Sequence, residues 1–505
     1  MYALVRGVCP WLDEHLRCFI RYHDPDVVFV DSVDDIPSDD IATVAFQWCN
    51  GWETDKNLSV LRSRPGRTLM NAYPNSDSLV RRDGLAALVD SWMAKRPDSM
   101  LRSHVPHSVR LTLDYSEYVD EALMSADDLT LLASLGANEA KKGHDREWWV
   151  LKPAVGDCGF GSRIFSTVGE LASHLELAEY EDDLDEDSEA LSSEEEDEEE
   201  YAAEYEKDDS FSPSISLSLP GLDALDGIIT TTIPQPDPAK KELWIKSPKL
   251  LQQLRAKKPQ CIFKTAAASD GRIPSAQMRS FVAQRYIPSV VQWHVRVYVL
   301  VVGELKVHVY REMLVVLAGE DEYQSPWRDT NRPEPSATHT ASSPDSGKDV
   351  SMPGECSFRD FWNEKEVPHD FLPGPSFNTC RGSRGDNNQS WKDDIFHQIC
   401  TISAELFRAA AGATHAIPNS SDKSFGLFAL DFLVDAECKA WLLEVHEAPT
   451  LLHQGGLTGP MATRLVESTV CVAMEHLGMA HIGEARNAKM RRRMVDVLDG
   501  GGGMR

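Results

Sequence analysis

The chain has 505 residues, of which 42% are hydrophobic and 26% are charged, and its formal net charge is −29 at pH 7. Residues 179–209 contain 19 acidic residues and one lysine, so most of the excess negative charge lies in one tract. Because nucleic-acid binding needs clustered Lys and Arg against the phosphates, this composition disfavours a nucleic-acid partner.

The ten cysteines are scattered without a C-x-x-C pair, which argues against a secreted disulfide scaffold and against a zinc module. No stretch reaches the roughly 18 consecutive apolar residues that a membrane-spanning helix needs. Arg6 and Pro10 interrupt the first apolar residues, so we expect no signal peptide. These features predict a cytoplasmic protein without a membrane partner.

The predicted strands are short apolar runs, in chain order 148–154, 280–287, 295–318, 425–435 and 439–447. Within the third run, Gly303 and Glu304 suit a two-residue turn, so that run is expected to be a hairpin. Residues 393–413 place apolar side chains on one helical face and predict an amphipathic helix. The remainder of the chain therefore predicts a mixed α/β protein.

Two long segments are predicted to be disordered insertions. The first, 178–242, contains the acidic tract, where like-charge repulsion and few large apolar residues oppose folding. The second, 319–375, is rich in Pro, Ser, Asp and Gly, and a loop of that length is unusual inside a compact domain. Residues 486–505, with a basic run and several glycines, are expected to form a flexible tail.

Two carboxylates interrupt the last pair of apolar strands. If the turn centres between Glu437 and Cys438, Asp431 lies opposite Glu444, with Cβ atoms about 5 Å apart on one face of the sheet. His446 shares that face because strand side chains alternate. Carboxylates in buried strands are costly unless they are paired, so the pattern favours a metal ion between them. Two solvated carboxylates on an open sheet face are the alternative.

Further residues are suited to nucleotide binding. Gly159 and Gly161 lie in a glycine-rich loop whose backbone N–H groups can approach phosphates, and Lys152 ends the preceding strand. The loop matches neither a P-loop nor a dinucleotide fingerprint, and an ordinary turn is the alternative. Gln284 and Tyr286 leave a later strand, where backbone groups can bond an adenine edge. An ordinary strand exit is equally compatible.

Arginines inside Val-rich strands require anionic partners, and Arg296 and Arg311 are of this kind. Phosphates are one such partner, and a structural salt bridge is the other. The adjacent pair Arg81 and Arg82 is expected to be solvated, with a phosphate contact as the alternative.

The ordered motifs resemble those of the tubulin–tyrosine ligase family, especially its fungal branch. They run from Lys-Pro with its glycine loop through Gln-x-Tyr, His-Val-Arg, Tyr-Arg-Glu, Asn-Thr-Cys and Asp-Phe-Leu to Glu-Val-His-x-Ala-Pro. The resemblance implies an α/β (α+β) ATP-grasp fold in which two mixed or antiparallel sheets enclose the nucleotide. The implied division is an N-terminal α/β domain at 1–80, ATP-grasp subdomains at 81–287 and 288–485, and the tail at 486–505.

The resemblance also implies a role for each matching residue. ATP would be bound by Lys152, Gly159, Gly161, Gln284, Tyr286 and Asn378. Arg296 and Arg311 would face the transferred phosphate. Asp431 and Glu444 would hold Mg²⁺. The sequence departs from the family pattern at His446, where an asparagine is usual, and imidazole is a softer ligand than Mg²⁺ prefers, so Mn²⁺ is an alternative.

Further departures are Cys158 and Gln292, which stand where basic residues are usual, Arg82 in place of a lysine and Phe377 in place of a threonine. The implied function is an ATP-dependent carboxylate–amine ligase that joins a free amino acid to a protein tail through an acyl-phosphate. Tubulin's C-terminal tail is one candidate acceptor. The departures favour an alternative, a nucleotide-binding scaffold of the same fold without catalysis.

Overall fold

The computed structural model describes residues 1–6, 10–37, 41–49, 51–155, 162–176, 279–287, 293–317, 358–359, 390–414, 422–435, 437–447, 458–479 and 484–500. All of these residues belong to one compact unit, formed by Met1–Asp183 and Asp270–Arg505. The acidic insertion 178–242 lies outside the described residues. Among the helices in the described ranges, none has the length and apolarity needed to cross a membrane.

The N-terminal residues form a parallel α/β sheet. Its elements are β1 (Tyr2–Arg6), α1 (Pro10–His23), β2 (Val28–Phe29), β3 (Ala45–Cys49), α2 (Gly51–Ser63) and β4 (Thr68–Met70). The strand order is β2-β1-β3-β4. Every residue of β3 is buried, as expected for a central parallel strand that is covered on both faces.

A second, antiparallel sheet supplies one wall of the site. Its strands are β5 (Ser108–Thr112), β6 (Trp149–Pro153), β7 (Arg163–Phe165) and β8 (Ser280–Arg285), in the order β5-β8-β6-β7. Helices α6 (Val119–Ser125) and α7 (Thr130–Asn138) pack on one face of this sheet, against Leu151 and Phe281. Because strand side chains alternate, Lys152 and Gln284 project from the opposite face.

A third, larger sheet is built around one long strand. The strands are β9 (Trp293–Val302), β10 (Lys306–Tyr310), β11 (Leu314–Leu317), β12 (Phe358–Arg359), β13 (Phe425–Val434), β14 (Ala440–Glu447) and β15 (Met494–Leu498). Central β9 pairs with β10 and β11 along one edge and with β13 along the other, and β14 pairs with β13. All of these pairings are antiparallel.

Helices cover both faces of the third sheet. They are α3 (Asp77–Val80), α4 (Arg82–Lys95), α5 (Leu101–His104), α8 (Ser390–Ala409), α9 (Thr458–His476) and α10 (Glu484–Arg491). Helices α4 and α8 pack on the face that contains Val297 and Leu430. Helix α9 and the N-terminal sheet pack on the face that contains Tyr298 and Ala429. The site therefore lies on a sheet that is held from both sides.

The structure agrees with much of the predicted pattern and differs at identifiable places. The predicted helix over 393–413 is present as α8, and its apolar face is buried. Residues 303–305, and not two residues, form the turn between β9 and β10. The second insertion, 319–375, includes the short strand β12, which pairs with β11.

The expected flexible tail also differs, because α10 and β15 occupy much of 486–505. Strand β15 pairs with β10 and buries Met494, Val497 and Leu498. These apolar residues after the basic run give the segment a surface to bury, which a solvated end lacks.

Candidate active site

Three neighbouring strands bring charged side chains into one row. Asp431 on β13 lies opposite Glu444 on β14, as the sequence predicts, and opposite Arg296 on β9 on its other side. Directly paired residues project from the same face of a sheet. Asp431 is fully buried and Glu444 nearly so. A cation must therefore lie beside them, since an unpaired buried carboxylate is costly.

A β-bulge shapes the hairpin next to this row. Asp431 pairs with Glu444, but the next residue toward the turn, Phe432, pairs with Leu442. Leu443 is therefore the extra, bulged residue on β14. Asp435 fixes the turn, because its Oδ1 accepts hydrogen bonds from the backbone N–H groups of Glu437 and Lys439. The turn is thus centred on Glu437, half a residue from its predicted centre, which shifts the register beside the turn by one residue, and the bulge restores the predicted pairing at the carboxylates.

Asp431 is held by two cationic neighbours. Arg296 donates from Nε to Oδ1 at 2.8 Å and from Nη2 to Oδ2 at 2.7 Å. His446 Nε2 lies 3.1 Å from Oδ2. Burial alone would raise the pKa of Asp431, but the charges and hydrogen bonds of Arg296 and His446 hold it well below the usual range. Asp431 is therefore ionised at neutral pH.

Glu444 has a separate pair of cations. Arg82 donates from Nε to Oε1 at 3.0 Å and from Nη2 to Oε2 at 3.2 Å. Lys152 Nζ lies 3.5 Å from Oε1. Burial opposes ionisation, yet the charges of Arg82, Lys152 and His446 keep the pKa of Glu444 well below its ordinary value. Both carboxylates are thus anionic and tightly compensated.

His446 joins the two carboxylates. Burial lowers the pKa of His446, but its hydrogen bond to Asp431 and the two negative charges outweigh burial, so the pKa is raised. Its Nε2 lies 3.6 Å from Oε2 of Glu444. The adjacent Glu447 is not part of this group, because strand alternation directs it to the other face, where it accepts a hydrogen bond from Ser76 at 2.7 Å.

The group fits a divalent metal ion. One ligand atom each from Asp431, Glu444 and His446 can be chosen so that all three lie within 4.8 Å of one another. Neighbouring ligands of an ion with bonds of about 2.1 Å are about 3 Å apart, close to the 3.1 Å and 3.6 Å separations from His446. Two carboxylate oxygens suit Mg²⁺ or Mn²⁺, and the imidazole favours the softer Mn²⁺.

A pocket adjoins the charged row between the second sheet, α4 and β14. Its polar groups include Lys152, Gln284 and Arg82, and apolar side chains make up most of the remaining wall. The apolar lining includes Val282 and Leu443. The enclosed cavity is small, about 20 Å³, so it marks where these groups converge and is not itself a nucleotide-sized space. The pocket therefore joins Lys152 and Gln284, both predicted to bind ATP, to the carboxylates.

Four further residues were predicted to bind ATP. Tyr286 packs at the edge of a small cluster formed by Trp148, Val150 and Ile164. Its backbone N–H donates to the carbonyl of Trp148 at 2.9 Å. Gly159, Gly161 and Asn378 fall outside the described residues, so their roles stay predictions.

The structure does not bring Arg311 to the carboxylates. Its guanidinium lies 5.4 Å from the ring centroid of Phe396 on α8, which packs on the opposite face of the sheet from Arg296. Within the described part of the chain, Arg311 makes no ion pair or hydrogen bond with Asp431 or Glu444.

Arg82 was expected to be solvated, with a phosphate contact as the alternative, and its contact with Glu444 was not predicted. Arg81 is half exposed and pairs with Asp83, as a solvated pair would, but Arg82 is 7% exposed and binds Glu444. Its Nη1 also donates to the carbonyl of Pro153 at 2.9 Å, and its backbone N–H donates to the carbonyl of Ala154 at 3.0 Å. A buried carboxylate without a local cation was the available signal that a distant arginine must reach it.

Comparison with known proteins identifies the fold and the family. A model of the tubulin–tyrosine ligase family matches residues 61–340 and 376–478. A Schizosaccharomyces pombe protein named "Probable tubulin–tyrosine ligase" is 27% identical over 435 residues, which cover 85% of this chain and 81% of that protein.

A Saccharomyces cerevisiae relative, "Probable tubulin–tyrosine ligase PBY1", is 23% identical over 428 residues. The match covers 82% of this chain but only 44% of that longer protein. The crystal structure of the C-terminal domain of K. lactis Pby1 superposes with a TM-score of 0.54 and 17% identity, and covers 99% of this chain and 98% of that domain. That domain is described as an ATP-grasp enzyme interacting with the mRNA decapping enzyme Dcp2. The chain therefore has the ATP-grasp fold and belongs to the tubulin–tyrosine ligase family.

Proposed function

We propose that this chain is an ATP-dependent carboxylate–amine ligase that joins a free amino acid to a protein tail through an acyl-phosphate. The observation that carries the proposal is the placement of Asp431 opposite Glu444, beside Lys152 and the pocket lined by Gln284. Ionised paired carboxylates next to cationic side chains suit a divalent metal and the phosphates of a nucleotide.

Each site residue has a distinct role in this proposal. Gln284 and the apolar side chains beside it would receive the adenine, and Asp431, Glu444 and His446 would hold the metal. A bound Mg²⁺ or Mn²⁺ would neutralise part of the negative charge on the phosphates. Lys152 and Arg296 stabilise the negative charge that develops on the transferred phosphoryl group.

The reaction needs no side-chain nucleophile. The carboxylate of one substrate attacks the γ-phosphate of ATP and ADP leaves, and the amine of the other substrate then displaces phosphate to form the amide. The acceptor is a protein tail in a cytoplasmic partner, and tubulin's C-terminal tail is the candidate that the relatives' names suggest. Because the K. lactis Pby1 domain interacts with the decapping enzyme Dcp2, binding of a protein partner by this chain is part of the proposal.

One observation favours a second candidate, a nucleotide-binding scaffold without catalysis. Each carboxylate already accepts two hydrogen bonds from an arginine, and His446 stands where the family usually has asparagine. A site compensated in this way holds its own counter-cations and can persist without metal.

One assay separates the two candidates. Purified protein is incubated with ATP, Mg²⁺ or Mn²⁺, single amino acids and a synthetic tubulin-tail peptide, and ADP and peptide mass are measured. The ligase predicts ADP release that depends on both substrates, together with a peptide mass increase of one residue. Nucleotide binding without ADP release under every combination would instead establish the scaffold.

A further inference from the structure

Every oxygen of the two carboxylates in the proposed metal site already accepts from a guanidinium. Arg296 binds both oxygens of Asp431, and Arg82 binds both oxygens of Glu444. A divalent ion that uses these oxygens competes with the guanidinium groups, because each oxygen has only two lone pairs and the like charges of metal and guanidinium repel. Metal binding in this site therefore favours an exchange of cations.

The charge balance makes that exchange unfavourable for a metal alone. Arg82, Arg296 and Lys152 already outnumber the two carboxylates in this cluster. A divalent ion without an anion would increase the local positive charge in a buried region, where charges are weakly screened. A polyphosphate removes this obstacle, because it supplies the negative charge that the displaced guanidinium needs.

Of the two arginines, Arg82 is the better placed to move between partners. Arg296 is fixed to Asp431 by the direct pairing of β9 with β13. Arg82 instead reaches Glu444 from the first residue of α4, and it is anchored to Pro153 and Ala154 at the end of the strand that carries Lys152. A guanidinium can exchange a carboxylate for a phosphate because both present paired oxygens to its planar N–H groups.

We propose that Arg82 couples the metal to the nucleotide, by occupying Glu444 in their absence and by transferring to the phosphates when the two arrive together. The inference rests on the proposed nucleotide site and assigns Arg82 a positioning role within it. Coupling of this kind is reciprocal, so the metal raises nucleotide affinity by the factor by which the nucleotide raises metal affinity.

The first test measures Mn²⁺ binding to the nucleotide-free protein by electron paramagnetic resonance. Arg82→Met removes the competing cation and is expected to tighten Mn²⁺ binding about tenfold or more. Arg82→Lys keeps the charge but cannot bond both oxygens, and is expected to tighten binding only about threefold. Arg81→Met is the matched control, because Arg81 is adjacent, exposed and paired with Asp83, and is expected to bind Mn²⁺ as the wild type does.

The second test measures binding of the non-hydrolysable nucleotide adenylyl imidodiphosphate by calorimetry, with Mn²⁺ and with EDTA. The wild type is expected to bind it about tenfold or more tightly with Mn²⁺, and Arg82→Met is expected to lose most of that difference. Circular dichroism establishes that each variant is folded, and Arg82→Lys carries the test if Arg82→Met is not.

The outcomes are distinct. If nucleotide-free wild type binds Mn²⁺ as tightly as the folded Arg82 variants, the coupling role of Arg82 is overturned while the nucleotide site stands. If the wild type binds adenylyl imidodiphosphate neither with Mn²⁺ nor with EDTA, the proposed nucleotide site itself fails.

Discussion

Substitution of Glu444 by glutamine tests the charged row most directly. The change keeps the side-chain size and one acceptor oxygen but removes the negative charge. We expect ATP turnover to fall at least about a hundredfold, because the metal loses a ligand and the phosphates lose a fixed position. The protein should remain folded, since the hairpin that carries the residue is held by apolar packing on both of its faces.

The expected cost in stability follows from burial. Arg82 and Lys152 have side chains that are 7% and 5% exposed, so the substitution leaves two buried cations beside a neutral amide. Breaking a buried ion pair costs about 3–5 kcal/mol, and the amide oxygen still accepts one hydrogen bond worth about 1 kcal/mol. The free energy of unfolding should therefore fall by about 2–4 kcal/mol.

Glu312→Gln provides a matched control. Glu312 is also held by two arginines, Arg464 and Arg493, but it does not line the pocket and its side chain is 19% exposed. We expect a smaller loss of stability and unchanged ATP turnover. Urea unfolding and ADP release measure the two quantities in parallel. Turnover within about twofold of wild type in folded Glu444→Gln would remove Glu444 from the mechanism.

Three further perturbations test the site and its support. His446→Asn should lower the ratio of Mn²⁺-supported to Mg²⁺-supported ATP turnover about tenfold, since an amide oxygen is a harder ligand than imidazole, and an unchanged ratio would exclude His446 as a ligand. Acid should destabilise the wild type more steeply than Glu444→Gln. The folded-state pKa values of Asp431 and Glu444 are lowered, so the stability that these groups contribute is present above about pH 4.5 and is lost as the pH falls below it. Urea midpoints that fall in parallel for the two proteins across that range would contradict the ion pairs. Gly303→Ala should reduce the free energy of unfolding by about 1–2 kcal/mol, because Gly303 has a φ of +60° and an added Cβ would lie 2.5 Å from the His476 ring. A urea unfolding curve equal to that of the wild type would show that the turn relaxes.

Local rules predicted the part of the site that lies within one hairpin. The apolar runs, the period of two and a short polar turn are enough to place Asp431 opposite Glu444, and that pairing is confirmed. The same reasoning missed the bulge at Leu443, because the bulge results from the way Asp435 closes the turn through side-chain hydrogen bonds. The register shift at the turn and the bulge cancel each other, so Asp431 still lies opposite Glu444.

Those local rules do not predict contacts between segments that are distant in the sequence. Arg82 binds Glu444, which is 362 residues away in the sequence. From the sequence alone, two adjacent arginines at the start of a helix are expected to be solvated. The requirement that a buried carboxylate be paired pointed to a cationic partner but did not say which one, and the family resemblance marked Arg82 only as a replacement for a lysine. The tertiary fold decides between Arg81 and Arg82, because α4 turns one inward and the other outward.

The position of Arg311 shows how one residue in a turn decides the face of a strand. A two-residue turn at Gly303 and Glu304 would pair Arg296 directly with Arg311 and place both side chains on the face of the sheet that carries Asp431. The observed three-residue turn pairs Val302 with Lys306, which shifts β10 by one residue. A one-residue shift exchanges the two faces of a strand, so Arg311 projects toward Phe396 on α8 while Arg296 stays beside Asp431. The positive φ of 81° at Leu305 accommodates the extra residue. In the described fold, Arg296, Lys152 and Arg82, and not Arg311, therefore supply positive charge beside Asp431 and Glu444.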